Sequence, residues 1–492
     1  MAAAEAIPFA KTGGLADVCG TLPLKLAEQG HHCSLFIPAY KRAMACGLPM
    51  VDTHVTFVVD MAGRSMAAHI LKTTIGNGAV DVYLVDQPLY FDRDLLYGDD
   101  RGDFRDNCER FCFFCRCVVE AIERLRMPVD IIHCHDWQAG LIPAYLKTNF
   151  RDFLWYRNAA SVMTIHNMAY QGRYWQHDMG LTGLEWQYFN WQQMEFFGDL
   201  NLLKTGIAFA DFVTTVSPSY AMEIQTPTQG CGLDGSLRVR GNRIAGIVNG
   251  VDYDLWDPRN DSNLVQKYGV DNWQLGKRQC KRDLQLQVGL PERVDIPLFG
   301  LIGRLAEQKG WDLVKPLLEQ SVDTLDVQWV ILGNGEQRFA DALSELARRR
   351  PDRVAVRLEF SDPLAHKIEA ASDMFLMPSR YEPCGLNQLY SLRYGTVPIV
   401  HATGGLIDTV NNLNEGTLAA GSATGFSFQN YDLDSLKECV LRAVDTYSRE
   451  PQVWDTLVRK GMEQDWSWTN SATAYETIYR RARELAVIEG RL

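Results

Sequence analysis

Lys11-Thr12-Gly13-Gly14 sets a cation directly before a Gly-Gly step, where one ammonium and the backbone N–H groups can cradle a diphosphate. A solvated surface lysine is the competing reading of Lys11. Gly303-Arg304 and, five residues on, Lys309 in Gln308-Lys309-Gly310 put two more cations after a short apolar run and at a helix start. Fixed positive charge in such a place suits a departing group that develops negative charge. Pro378-Ser379-Arg380-Tyr381-Glu382-Pro383-Cys384-Gly385-Leu386 holds an acid at a strand-to-helix turn, followed by a helix start with unpaired N–H groups. His133, His135 and Asp136 resemble metal ligands, and both histidines would share one face of a strand, yet no third ligand lies nearby. No metal site is expected. Asp136 suits a polar contact to a ligand such as a sugar, and His166-Asn167 ends the following strand in the same manner.

Such residues need elements that carry them to one place. From about residue 128, short β-rich runs alternate with helix-length segments: a strand over 129–133, a helix over 139–150, and strands over 161–165 and 212–216. The second half repeats the rhythm, with strands at 297–302, 327–332, 374–377 and 397–400 and helices from Trp311 and over 336–350. This alternation predicts an α/β chain with two Rossmann-like, doubly wound domains and a boundary near Asn249-Gly250-Val251-Asp252. Ligands bind such sheets beyond the carboxyl ends of the strands, so two domains face to face would make one cleft. Thr12-Gly13-Gly14-Leu15-Ala16-Asp17 is echoed by Thr403-Gly404-Gly405-Leu406-Ile407-Asp408. Two ordinary helix starts would explain the echo, but one copy in each half, beside cations, favours a pair of anion cradles.

At 492 residues the chain is too long for one core. A formal charge of −12 argues against nucleic acid, since nothing would steer phosphate backbones toward the surface. No uninterrupted apolar run is long enough to span a membrane. The first residues lack the basic and apolar regions of a leader, so a reducing cytoplasm is expected for the twelve cysteines. Cys108, Cys112 and Cys115, interleaved with Phe111, Phe113 and Phe114, are the stripe of a buried helix rather than a metal site. Of Trp137, Tyr170, Trp175, Trp186 and Trp191, about three are expected in the core, which leaves some free to stack on a ligand.

KTGGLADV, HCHDWQAG, TIHNMAYQG, TVSPSYAMEI, VNGVD, IGRLAEQKGWDL, PSRYEPCGLNQLYSLRYGTVPIV and ATGGLIDTV together resemble the motifs of bacterial glycogen synthases and plant starch synthases. The resemblance runs in order from about residue 6 to Trp468. It implies a retaining glucosyltransferase of the GT-B kind, with two Rossmann-like domains facing across a cleft and no metal or other cofactor. The donor would be ADP-glucose, and the acceptor the non-reducing end of an α-1,4-glucan, glycogen or starch. Residues 1–250 would form the acceptor-side domain, 251–465 the nucleotide-sugar domain, and 466–492 a helix returning to the first. By the same resemblance Lys11, Gly13 and Gly14 contact the diphosphate, and Arg304 with Lys309 stabilise it as it leaves. Glu382 and the N–H groups after it hold the donor glucose, while Asp136 and His166 shape the reaction centre. Further substrate contacts are implied at Asp17, Asn167, Asn249, Cys384, Gly385, Leu386, Thr403, Gly404 and Gly405.

Four departures from the pattern stand out. Only Met1-Ala2-Ala3-Ala4 precede Glu5 where the family has a full, central strand, so a short apolar extension is expected to raise the melting temperature. Glu359-Phe360-Ser361-Asp362 replaces a Tyr-His-containing segment, and Asn387 replaces a common threonine. Tyr390 stands where many UDP-glucose-using relatives keep a second, ribose-binding glutamate. That disfavours one alternative, a UDP-glucose-using GT-B transferase. The other, a catalytically impaired glucan-binding protein, would be expected to lose Lys11, Arg304, Lys309 or Glu382, and all four are present.

Overall fold

The structure, a computed structural model, describes residues 1–99, 101–156 and 158–489. It divides into two compact units, one of Met1–Gly250 with Trp468–Leu492 and one of Val251–Ser467.

The first unit is built on Cys33–Pro38 (β1), Val51–Met61 (β2), Arg64–Ile75 (β3), Val80–Asp86 (β4), Ile131–His135 (β5), Ala160–Ile165 (β6), Phe212–Thr215 (β7) and Ile244–Gly246 (β8). The strands pair in the orders β1-β4-β3-β2 and β8-β7-β6-β5. Met1–Ala3 lies between the two sets and joins them. Ala2 N–H donates to the His133 carbonyl at 2.9 Å and Ala3 N–H to that of Phe36 at 3.1 Å, while His135 and Phe36 donate back to Ala2 and Met1. The result is one mixed sheet whose centre is the Met1–Ala3 segment with β1 and β5. β5 starts two residues later than the apolar run suggested and takes in both histidines, because the ladder continues to the His135 N–H. The helix expected over 139–150 is shorter, a 3₁₀ turn Trp137–Ala139 and then Ile142–Lys147 with Pro143 in its first turn.

β6 is buried along its whole length, as a strand covered on both faces must be. β2 instead alternates, with Phe57, Val59 and Met61 inward and their neighbours exposed, as an antiparallel edge does. On one face of the sheet, helix Gly14–Glu28 and helix Trp468–Ile488 pack together through Val18, Leu22 and Leu26 against Trp468, Tyr475 and Ile478. Helix Asn107–Arg124 buries Cys108, Cys112, Cys115 and Cys117 among its phenylalanines, where free thiols serve as small apolar groups.

The second unit holds Leu298–Ile302 (β9), Gln328–Leu332 (β10), Val354–Arg357 (β11), Met374–Met377 (β12), Val397–His401 (β13) and Phe426–Phe428 (β14). All pair in parallel in the order β11-β10-β9-β12-β13-β14. The chain starts mid-sheet, builds to one edge, then returns and builds to the other. The reversal falls between β9 and β12, and the crevice beyond their carboxyl ends is where such sheets take ligands. Both units are thus doubly wound α/β sheets.

Candidate active site

In the second unit the reversal point is occupied by charge. β9 runs out into Gly303-Arg304, and β12 into Pro378-Ser379. Lys309 Nζ stands 2.7 Å from Glu382 Oε2, and Ser379 Oγ donates to the same oxygen at 2.9 Å. Glu382 is buried, so its carboxylate is retained by these two partners rather than by water. Arg304 is exposed. Its guanidinium donates to Gln308 Oε1 at 3.2 Å, and its carbonyl accepts the Trp311 indole N–H at 2.9 Å.

Thr403-Gly404-Gly405 leads from β13 into the short helix Gly405–Thr409. Gly404 has φ +47, and a Cβ there would overlap the Glu382 carbonyl; one on Gly405 would overlap that of Cys384. Gly405 N–H donates to the carbonyls of Glu382 and Pro383. Only glycines let the two backbones come this close, so the pair fixes the turn that carries Glu382. Gly385, at φ +74, and Leu386 then open helix Asn387–Tyr394. Asn387 Nδ2 donates to the Ile302 carbonyl at 3.0 Å, tying that helix to the end of β9. Tyr390 stacks flat on Trp256 at 3.9 Å, with His366 on the other side of the indole at 3.7 Å. A packed ring therefore stands where the second carboxylate would be.

In the first unit Asp136 follows β5 directly. Its backbone, at φ 56 and ψ −176, lies in a region that residues with a side chain rarely adopt, a strain of order 1–3 kcal/mol. Asp136 N–H donates to the Thr164 carbonyl, and its carboxylate accepts the His166 N–H at 2.7 Å. Burial pushes the Asp136 pKa up to about 7, with the backbone donors of His166 and Asn167 opposing and Glu5 adding to the rise. Burial pushes the His166 pKa down, so the ring is neutral. Asn167 Oδ1 accepts the Ala169 N–H, and Asn249 lies buried where the chain leaves this unit.

Lys11 Nζ pairs with Asp17 at 2.8 Å, and Gly13 and Gly14 open the long helix Gly14–Glu28. Gly13 is extended and a Cβ on it would meet nothing, so the two Gly-Gly turns match in sequence more closely than in purpose. What holds the first loop is Glu5, which sequence reasoning did not single out. Its buried carboxylate accepts Thr12 N–H at 2.5 Å, Thr12 Oγ at 2.6 Å and Tyr97 OH at 2.7 Å. Among the described residues no three His, Cys, Asp or Glu side chains form a metal-binding group.

The aromatic residues correct an expectation. Only Trp137 is in the core, while Tyr170, Trp175, Trp186 and Trp191 are 52–74% exposed. Trp175, His177, Trp186 and Phe189 follow one another with ring centroids 4.4, 6.2 and 5.5 Å apart. Trp175 ends a three-residue strand, and His177, Trp186 and Phe189 lie on or beside single 3₁₀ turns, where the apolar content of the segment does not report burial.

Comparison with known proteins bears on this geometry. The family described as starch synthase catalytic domain matches residues 1–239, and glycosyl transferases group 1 matches residues 287–453. The chain is 46% identical to a glycogen synthase of Rhodopirellula baltica, covering 98% of this chain and 97% of that one. It is 44% identical to a glycogen synthase of Koribacter versatilis, with 98% of both covered. The catalytic domain of starch synthase IV from Arabidopsis thaliana, solved bound to ADP and acarbose, has a TM-score of 0.89 at 31% identity, covering 98% of each chain. Sucrose-phosphate synthase of Thermosynechococcus elongatus, at 17% identity and TM-score 0.59, shares the fold.

Proposed function

The chain belongs to the family of bacterial glycogen synthases and plant starch synthases, glucosyltransferases that use a nucleotide-sugar donor and a glucan acceptor. From that premise we propose that it moves glucose from ADP-glucose to the non-reducing end of an α-1,4-glucan with retention of configuration. The observation that carries this reading is Lys309 beside the buried Glu382, at the reversal point of a parallel sheet. A cation there meets charge growing on a departing diphosphate, and an acid fixed beside it can hold the hydroxyls of the glucose being transferred.

In this reading the second unit is the nucleotide-sugar side. Arg304 and Lys309 stabilise the leaving diphosphate, while Glu382 and the backbone of Cys384, Gly385 and Leu386 hold the sugar. Thr403, Gly404 and Gly405 support that turn. The first unit is the glucan side. Lys11, with Asp17 and the N–H groups at Gly13 and Gly14, contacts the diphosphate, and Asp136, His166, Asn167 and Asn249 shape the reaction centre. The acceptor hydroxyl attacks on the face from which the diphosphate leaves, and the His166 backbone carbonyl helps stabilise the oxocarbenium-like centre. No covalent nucleophile is required, since a diphosphate departs readily once its charge is met. Preference for ADP over UDP is supported by the relative solved with ADP and by the ring stack at Tyr390. Twelve free thiols suit a reducing compartment, which supports placing the reaction in the cytoplasm.

Nucleotide release from ADP-glucose and UDP-glucose, each with and without glycogen, tests the reading. ADP release that requires glycogen is expected. Preference for UDP-glucose, or release that ignores glucan, would overturn it. The exposed aromatic row gives a second test. Trp175→Ala and Trp186→Ala are each expected to raise KM for glycogen about 5- to 10-fold, the loss of roughly 1 kcal/mol of ring stacking. KM for ADP-glucose should hold, and an unchanged glycogen KM would remove the row from the glucan path.

A further inference from the structure

His135 takes no part in the reading above, although it is fully buried beside the candidate reaction centre. Its Nδ1 lies 3.1 Å from His166 Nε2, and its ring stands 4.0 Å from that of His133. His133 is occupied elsewhere, with Nδ1 on Tyr479 OH at 2.8 Å and Nε2 on Thr164 Oγ1 at 2.5 Å. No protein atom among the described residues bonds His135 Nε2. Burial holds all three imidazoles neutral, so each carries one proton.

Two arrangements satisfy the His135–His166 contact. If His166 donates from Nε2, the His135 proton must sit on its own Nε2, leaving a buried N–H with no acceptor. If His135 donates from Nδ1, its Nε2 is left only as a bare lone pair. An orphaned buried donor is the rarer and costlier state. The second arrangement leaves His166 Nε2 as the acceptor and puts its proton on Nδ1.

We propose that His135 is a positioning residue that locks the neighbouring His166 ring as its Nδ1–H tautomer, so that His166 offers a donor, not an acceptor, to a sugar hydroxyl. Asn at position 135 can supply an amide N–H where Nδ1 was, whereas Phe fills the ring volume and supplies none. The proposal rests on the transferase reading only for its kinetic arm, because the tautomer is measurable without turnover.

The experiment is NMR of nitrogen-15-histidine-labelled protein near pH 7.5, with His166 assigned through His166→Gln, together with kinetics on ADP-glucose and glycogen. In the unaltered protein the His166 proton is expected on Nδ1. His135→Phe should release it to Nε2 and lower kcat roughly 10- to 100-fold, as misplacement of a binding group does, with KM for the donor moving less than about 3-fold. His135→Asn should recover the Nδ1–H tautomer and most of the rate. A His166 proton on Nε2 in the unaltered protein overturns the proposal even if His135→Phe fails to fold. So does a His135→Phe enzyme with full kcat, or a His135→Asn enzyme as slow as His135→Phe. An inactive but correctly protonated protein would instead count against the transferase reading alone.

Discussion

Lys309→Ala is expected to lower kcat by about 10²–10³, the range for losing a charge-stabilising donor. The ammonium lies 2.7 Å from Glu382 Oε2, at the carboxyl end of the sheet, where a departing diphosphate is expected. Removing it takes away charge that matters most as the glycosidic bond breaks, so kcat and kcat/KM should fall together. The fold should suffer as well. Glu382 is buried and among the described residues would keep only Ser379 as a side-chain partner, a loss of about 1–2 kcal/mol, below that of a fully buried pair because Lys309 is partly exposed. Arg304→Ala separates the two effects. Arg304 is exposed and among the described residues its guanidinium bonds only a neutral Gln308, while its carbonyl bond to Trp311 survives substitution, so its loss should slow the reaction comparably without moving the melting temperature. Adding Glu382→Gln to Lys309→Ala should return stability and leave the rate low. A defect confined to KM in either single variant would contradict the leaving-group role.

Asp136→Asn should act in opposite directions on rate and stability. The amide keeps the oxygen that accepts the His166 N–H but loses the negative charge, and a fall in kcat of about 10² is expected. Stability should rise, because the buried carboxyl has its pKa pushed up to about 7, against about 3.9 in an unfolded chain. Between those values the folded protein holds a proton that the unfolded chain has lost. Stability from this group therefore declines as pH rises from about 4 to about 7 and is level above that. Asparagine has nothing to ionise. Its advantage should be near zero at pH 4 and reach roughly 1–4 kcal/mol by pH 8, measured as urea unfolding at both values. No gain at pH 8 would mean that the hydrogen bonds of the carboxylate outweigh its burial. The strained backbone of Asp136 points the same way, since a position optimised for folding alone would not keep both a rare φ and a buried charge.

Much of this architecture is legible because parallel strands write themselves as short apolar runs. Met374–Met377 coincides with its run, and β9, β10 and β13 are each within a residue of theirs. The antiparallel strands β2 and β3 are not, because one exposed face breaks the apolar run and the alternation is weak in Thr-His-Val-Thr-Phe. Arg304, Lys309 and Glu382 can be picked out by their places after strands and at helix starts. Their partners cannot, since a hydrogen bond between residues some 70 apart, such as Lys309 to Glu382, leaves no local periodicity. Glu5 enters the sequence reading only as the residue after Met1-Ala2-Ala3-Ala4, with nothing to say that its carboxylate would gather Thr12 and Tyr97. The tryptophans misled for a related reason. Average burial applies to residues on helices and strands facing a core, and Trp175, Trp186 and Trp191 are on turns and a three-residue strand.

The packing of helix Trp468–Ile488 on helix Gly14–Glu28 also sets the order of events on the ribosome. Val18, Leu22 and Leu26 are translated early, but the side chains that cover them follow some 440 residues later. At roughly 5–20 residues per second, that apolar strip stays uncovered for about 20–90 seconds of synthesis. Chaperone contact with the nascent chain should concentrate there, and a fragment ending at Gly250 should be prone to aggregate. Val251–Ser467, whose two terminal residues are bridged to each other, is by contrast the piece to produce by itself.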